Sequence, residues 1–299
     1  MTGAAAGIAT VLWLGSTTAA ALWLGAGSAA AEAHRPSGAV ADAAVAVAVP
    51  EIPQPATEVA EQMQSAIRAA SPDSRVGIDV VDLDSGAVLA GLDVDHPFFT
   101  ASVVKLLIAL DALKSADWQP DPAAAAQLRQ MLAASDDGIA DGLWDANGGP
   151  EIVSRMIEMI GLPGTLPPED RYQWGETLTT PRDVVSIYRY IAADAPPQAR
   201  DLLLGALHGA DKIAADGTDQ YFGIPAGLPG VTWAVKQGWM SLDSSTTIDT
   251  TGLIGLTPDK PYRYAVVVLT TQPADTAWAA AGSAVTAGIG VLGTIIQHR

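Results

Sequence analysis

The stretch 98-FFTASVVKLLIALDALK-114 decides how this chain is read. Val103, Val104, Leu106, Leu107, Ile108 and Leu110 make a helix that is apolar on nearly every side, yet Lys105 stands in its first turns. Ser102 precedes the lysine by three positions, and an offset of three places two helical side chains on one face. A serine hydroxyl is a weak nucleophile that needs a base within hydrogen-bond reach. The helix N-terminus offers free N–H groups to a developing oxyanion, and its positive field favours a deprotonated lysine. Burial among aliphatic side chains lowers lysine's proton affinity in the same direction. The plain alternative is a lone lysine that snorkels to the surface.

Outward from this helix, the pattern alternates between strand and helix signals. EVAEQMQSAIRAA (58–70) has helical spacing of apolar residues, and RVGIDVVDLDSGAVLAGLDVD (75–95) reads as strand, turn, strand. Helices are expected at 122–134, after Ser135, at 148–161, at 180–193 and at 197–209, with Thr180 as a cap and Pro181 in the first turn. Strands return at 231–239, 247–256 and 262–270, and a helix closes the chain at 275–297. The expectation is an α/β (α+β) fold. Its antiparallel five-stranded sheet is assembled from both ends of the chain and flanked by the terminal helices, with the middle helices as a reduced second lobe. A site belongs in the seam between the lobes.

The N-terminus differs in kind. Residues 1–31 contain no charged side chain and are long enough to span a bilayer. Ala29-Ala30-Ala31 offers the small residues of a cleavage site, although no basic residue opens the segment. Residues 1–31 therefore read as a signal peptide or membrane anchor, with a tether through residues 4–30. Residues 32–56 read as an Ala/Pro-rich linker and 57–299 as the folded domain. Secretion, or anchoring on the extracytoplasmic side of a membrane, follows as the expected location.

Composition narrows the chemistry. With 16 Lys and Arg against 33 Asp and Glu, no basic surface for nucleic acid can be assembled. The absence of cysteine excludes disulfides, thiolate metal sites and a cysteine nucleophile. His34, His96, His208 and His298 stand far apart with no metal-ligand spacing, and no phosphate-binding glycine loop follows a strand, so neither metal nor cofactor is expected.

Two further motifs accompany Ser102 and Lys105. MLAASDDGIADGLWDANGGP supplies Ser135, Asp136 and Asp137 between helices, and VKQGW supplies Lys236, Gln237 and Gly238 on a strand. Taken alone, the first reads as a helix cap and the second as an edge-strand lysine. Together, in this order, they resemble the three motifs of the serine β-lactamase and penicillin-binding protein superfamily, above all the class A β-lactamase type, over roughly residues 57–297. The resemblance implies that Ser102 becomes acylated and Lys105 takes its proton. It implies that Ser135 passes a proton to the leaving group, with Lys236 close by to hold a substrate carboxylate and keep the local potential positive. It also implies that the backbone N–H groups of Ser102 and Trp239 hold the oxyanion.

Four departures qualify the resemblance. Only 33 positions separate Ser102 from Ser135, so a trimmed helical lobe and a more open cleft are expected. The family's asparagine is Asp137, which cannot donate as an amide does and would repel an anionic substrate. Gln237, which the resemblance places with Asp137 and Gly238 among the substrate-binding residues, replaces a hydroxyl residue that touches the substrate carboxylate in the family. In DRYQWGETLTTP (170–181), which resembles the deacylation loop, Gln173 stands where the glutamate base belongs, with Glu176 as the only substitute.

The reading is an exported serine hydrolase acting on an amide or ester, with cell-wall peptide among the candidate partners and weak or no β-lactam turnover. A non-catalytic envelope binding protein on the same fold is the alternative. Trp144, Trp174 and Trp239 are candidates to line the cleft.

Overall fold

The computed structural model describes residues 52–296, so the apolar leader and most of the linker lie outside the described residues. Helix α1 (Gln54–Ala70) begins before the periodic segment, because Pro55 sits in its first turn where no N–H is needed. Strands β1 (Arg75–Asp82), β2 (Val88–Leu92) and the short β3 (Phe98–Phe99) follow. A 3-10 turn, Ala101–Val104, then feeds α2 (Lys105–Ser115). The lobe continues with α3 (Pro122–Ala133), α4 (Asp137–Ala146), α5 (Pro150–Ile160), a 3-10 turn at Trp174–Glu176, β4 (Leu178–Thr179), α6 (Pro181–Arg189) and α7 (Pro197–His208). The chain returns through α8 (Ile224–Gly227), β5 (Thr232–Leu242), β6 (Ser245–Gly255), β7 (Tyr264–Pro273) and α9 (Trp278–Ile296).

The main sheet runs β2-β1-β7-β6-β5 with antiparallel pairings throughout, which leaves β5 on an edge. Its faces separate two cores, as strand alternation requires. Val76, Ile78, Val80, Val266 and Val268 pack against Met63 and Ile67 of α1 and Val285 and Ile289 of α9. Val81, Ala265, Val267 and Leu269 join the core of the helical lobe with Leu106, Leu107, Ile108 and Leu110. Helix α9 is apolar enough to cross a membrane by length and composition, but half of it is buried in this domain. A Cβ at Gly288 would lie 2.7 Å from Ile67 Cγ1, so the absence of a side chain there permits the close approach of α9 to α1.

Helix α2 is buried on nearly all sides, as its composition demands. Its one acid, Asp111, is met by Arg155 of α5 through two hydrogen bonds of 2.7 and 2.8 Å. Arg155 also donates to the carbonyl of Asn147, so one guanidinium joins α2, α5 and the turn between α4 and α5.

Candidate active site

Three elements bring the site together. Ser102 lies in the 3-10 turn and Lys105 opens α2, so the expected helical offset holds with a tighter first turn. Ser135 directly precedes Asp136, whose carboxylate caps α4 by accepting from the Ile139 N–H at 3.1 Å. Lys236 comes from the edge strand β5. Ala101 and Ser135 both have positive φ, 41° and 53°, a conformation that non-glycine residues rarely adopt. Such strain beside both hydroxyls is a feature common at functional sites.

The Lys105 Nζ lies 2.9 Å from Ser102 Oγ, 2.8 Å from the Ser135 carbonyl, 3.2 Å from Ser135 Oγ and 2.5 Å from Asp137 Oδ1. The Lys236 Nζ donates to Ser135 Oγ at 2.9 Å and to the Gln237 carbonyl at 3.0 Å. Ser135 therefore bridges the two lysines. Burial holds the Lys105 ammonium below its ordinary range, while the Asp137 carboxylate pulls it back up. Lys236 is pushed down further, by burial first and by the neighbouring Lys105 second.

A count of donors shows what this geometry permits. The Ser135 carbonyl and the Asp137 carboxylate only accept, so they use two N–H bonds of Lys105. In a neutral amine the lone pair then remains for the Ser102 hydroxyl proton. In an ammonium the third N–H points at Ser102 Oγ or Ser135 Oγ instead.

Gly238 lets β5 approach the backbone just before Ser102. A Cβ there would lie 2.9 Å from the Thr100 carbonyl oxygen and 3.3 Å from Asp249 Oδ2. The close approach sets Trp239 of the edge strand near the turn that carries Ser102. Asp249, wholly buried, accepts from the Thr270 N–H at 2.9 Å, and its carboxyl is raised well above the usual carboxylate range by burial.

Three expectations need correction. Gln237 does not face the site: its buried amide donates to the carbonyls of Gln220 (3.2 Å) and Phe222 (2.6 Å). Neighbouring strand residues point to opposite faces, so with Lys236 turned to the helical lobe Gln237 turns to the other. Asp137, expected only as a charge facing the substrate, also pairs with Lys105 while its side chain stays exposed at the recess. The cleft is also not open at its floor. Ser102, Lys105, Ser135 and Lys236 are at most 4% exposed. The Trp174 ring lies 4.8 Å from Lys105 Nζ and the Trp239 ring 5.8 Å from Lys236 Nζ.

Hydrogen bonds hold these rings, with the Trp174 indole donating to Asp141 and the Trp239 indole to Asp216, each at 2.8 Å. Trp144 is a core residue instead, its indole donating to the Arg171 carbonyl at 2.7 Å and fixing the 170–176 loop on α4. Above the rings lies a recess of about 300 Å³ lined by Asp137, Asp141, Tyr172, Gln173, Trp174 and Trp239, among others. Gln173 thus reaches the recess. Glu176, half-buried in its 3-10 turn, is outside that lining and, among the described residues, makes no side-chain hydrogen bond to Ser102 or Lys105. His96 and His208 lie apart, the first edge-on to Phe98 and the second against the Trp233 carbonyl.

Asp141 and Asp216 did not emerge from the sequence, since an acid gives no local signal of an indole partner 33 or 23 positions away.

Sheet, lobes and site together define a serine β-lactamase and penicillin-binding type of fold. PBP-A, in its L158E acyl-enzyme complex with penicillin G, superposes with a TM-score of 0.65 at 20% identity, covering 84% of this chain and all of that one. A β-lactamase from Chitinophaga pinensis gives 0.64 at 17% identity, covering 80% and 99%. No family model matches the sequence. The chain belongs to the family of the protein named "Putative lipoprotein LppW" in Mycobacterium tuberculosis and Mycobacterium bovis. It is 33% identical to them over 227 residues, which span 73% of this chain and 70% of theirs.

Proposed function

We propose that this protein is an exported serine hydrolase that acylates Ser102 with an amide or ester substrate and turns over β-lactams poorly or not at all. The observation that carries the reading is Lys105, with two acceptor-only partners and its remaining valence directed at Ser102 Oγ. In the reaction, Lys105 takes the hydroxyl proton as Oγ bonds to the substrate carbonyl carbon. The oxyanion forms against the N–H groups of Ser102 and Trp239, and its collapse breaks the bond to the leaving group. Ser135, bonded to both lysines, passes the proton to that group. Gln173 in place of a carboxylate leaves the ester to slow hydrolysis.

Peptidoglycan peptide is a candidate substrate. The name of the relatives supports an extracytoplasmic, membrane-attached location. The tether proposed here is the apolar segment at residues 4–30. The proposed division is a leader at 1–31, a linker at 32–56 whose last three positions already belong to helix α1, and a catalytic domain at 57–299.

The test is intact mass after incubation with penicillin and, separately, with a fluorophosphonate, beside Ser102→Ala. A mass gain absent from the variant supports the reading, and a folded protein that gains mass with neither reagent overturns it. The second reading, a binding protein on the same fold, is favoured by the Asp137 carboxylate against Lys105, which opposes loss of the proton.

A further inference from the structure

We propose that the recess beside Ser102 is a cation-accepting subsite, so that the acyl group or ligand it receives carries an ammonium charge. This deepens the acylation reading by naming a substrate class, and its covalent arm rests on that reading.

The recess joins aromatic faces to carboxylates. Tyr172, Trp174 and Trp239 contribute rings, and Asp137 and Asp141 contribute acids that are exposed to solvent. Rings and carboxylates together favour an organic cation, because the electron-rich face and the formal charge both attract it. Each indole already lies near a lysine amine, the Trp174 ring 4.8 Å from Lys105 Nζ and the Trp239 ring 5.8 Å from Lys236 Nζ. Among the described residues that line the recess, none is basic.

The wider balance has the same sign. Asp136 and Asp216 act electrostatically on Lys105 along with Asp137, and Asp141 holds Trp174 in place. Three carboxylates thus act on Lys105, two of them also on Lys236, and a fourth, Asp141, lies beside them on the Trp174 indole. Arg171, stacked on Tyr172 at the margin, leaves the balance negative. The strand side chain next to Lys236, Gln237, is turned away and offers an incoming carboxylate nothing. An anionic substrate meets repulsion here, and a cationic one meets both attractions.

The experiment compares p-nitrophenyl esters of 5-(trimethylammonio)pentanoic, pentanoic and 5-sulfopentanoic acids, by nitrophenolate burst and adduct mass. In the wild-type chain the cationic ester should acylate Ser102 about tenfold or more faster than the anionic one at low salt. The ratio should fall toward one in the Asp137→Asn/Asp141→Asn variant; taking a ratio cancels any change in the nucleophile itself. Equal rates, or a faster anionic ester, overturn the subsite.

A binding arm keeps the proposal testable if no ester reacts, an outcome that strikes the acylation reading alone. Butyltrimethylammonium should then quench tryptophan fluorescence saturably, butanesulfonate should not, and the double variant should lose the effect. Absence of that difference overturns the subsite whatever the esters do.

Discussion

Replacing Asp137 with asparagine isolates one charge at the centre of the proposed chemistry. Asp137 Oδ1 lies 2.5 Å from a Lys105 Nζ that is wholly buried, while the Asp137 side chain is 58% exposed. A close carboxylate favours the ammonium form of a lysine, and solvent on the acid side weakens that pull here. Asparagine keeps an acceptor at the same place but removes the charge.

The sign follows directly. Asp137 favours the ammonium, so Asp137→Asn lowers the Lys105 pKa and raises the neutral fraction at any pH below both values. The acidic limb of the acylation profile should move to lower pH, giving roughly severalfold faster adduct formation there. Above both values the rates should agree. The assay is the rate of fluorophosphonate adduct formation by mass between pH 5 and 9. An acidic limb that stays in place or moves upward refutes the argument, as does a uniform slowing at every pH, which would make Asp137 a geometric partner rather than an electrostatic brake.

Asp79, on the lobe-facing side of β1, has its carboxyl pushed up to about 7 by burial, against the opposing pull of Arg182. The folded state therefore holds this proton more tightly than the unfolded chain. Stability should fall between about pH 4 and 7 by up to about 4 kcal/mol, and Asp79→Asn should remove that slope in urea melts at several pH values. Arg155→Ala strands the buried Asp111 carboxylate and should cost about 3–5 kcal/mol, whereas Arg155→Met with Asp111→Leu should recover most of it. A small loss in the single variant would contradict this. Gly238→Ala should push β5 from the Thr100 carbonyl, costing about 1–3 kcal/mol and slowing acylation more than it lowers the melting temperature. Unchanged acylation would show that the close approach is not needed for the oxyanion donors.

Much of the fold was legible in the sequence because it is encoded over short distances. The two strand alternations, the apolar run of α2 and the Pro-started helices each need only neighbours within a few positions. The offset of three between Ser102 and Lys105 is of the same kind, and it places the 2.9 Å contact without any tertiary information. Proximity of Ser135 and Lys236 came from family resemblance rather than spacing, since no local rule joins positions 101 apart. Gln237 shows the limit of such reasoning. Its place after the lysine suggested a substrate contact, but the alternation of β5 sends its amide to the backbone of the loop before α8.

The sequence by itself determined that a buried lysine would stand beside a serine at a helix start, because both partners lie within one turn. Only the tertiary structure decided how that lysine is charged and covered. Asp137 arrives from 32 positions away, and the Trp174 and Trp239 rings come from a loop and an edge strand held by Asp141 and Asp216. Electrostatic work depends on distance in space and on exclusion of water. Neither is a property of chain order, so neither existed until the lobes closed on the sheet.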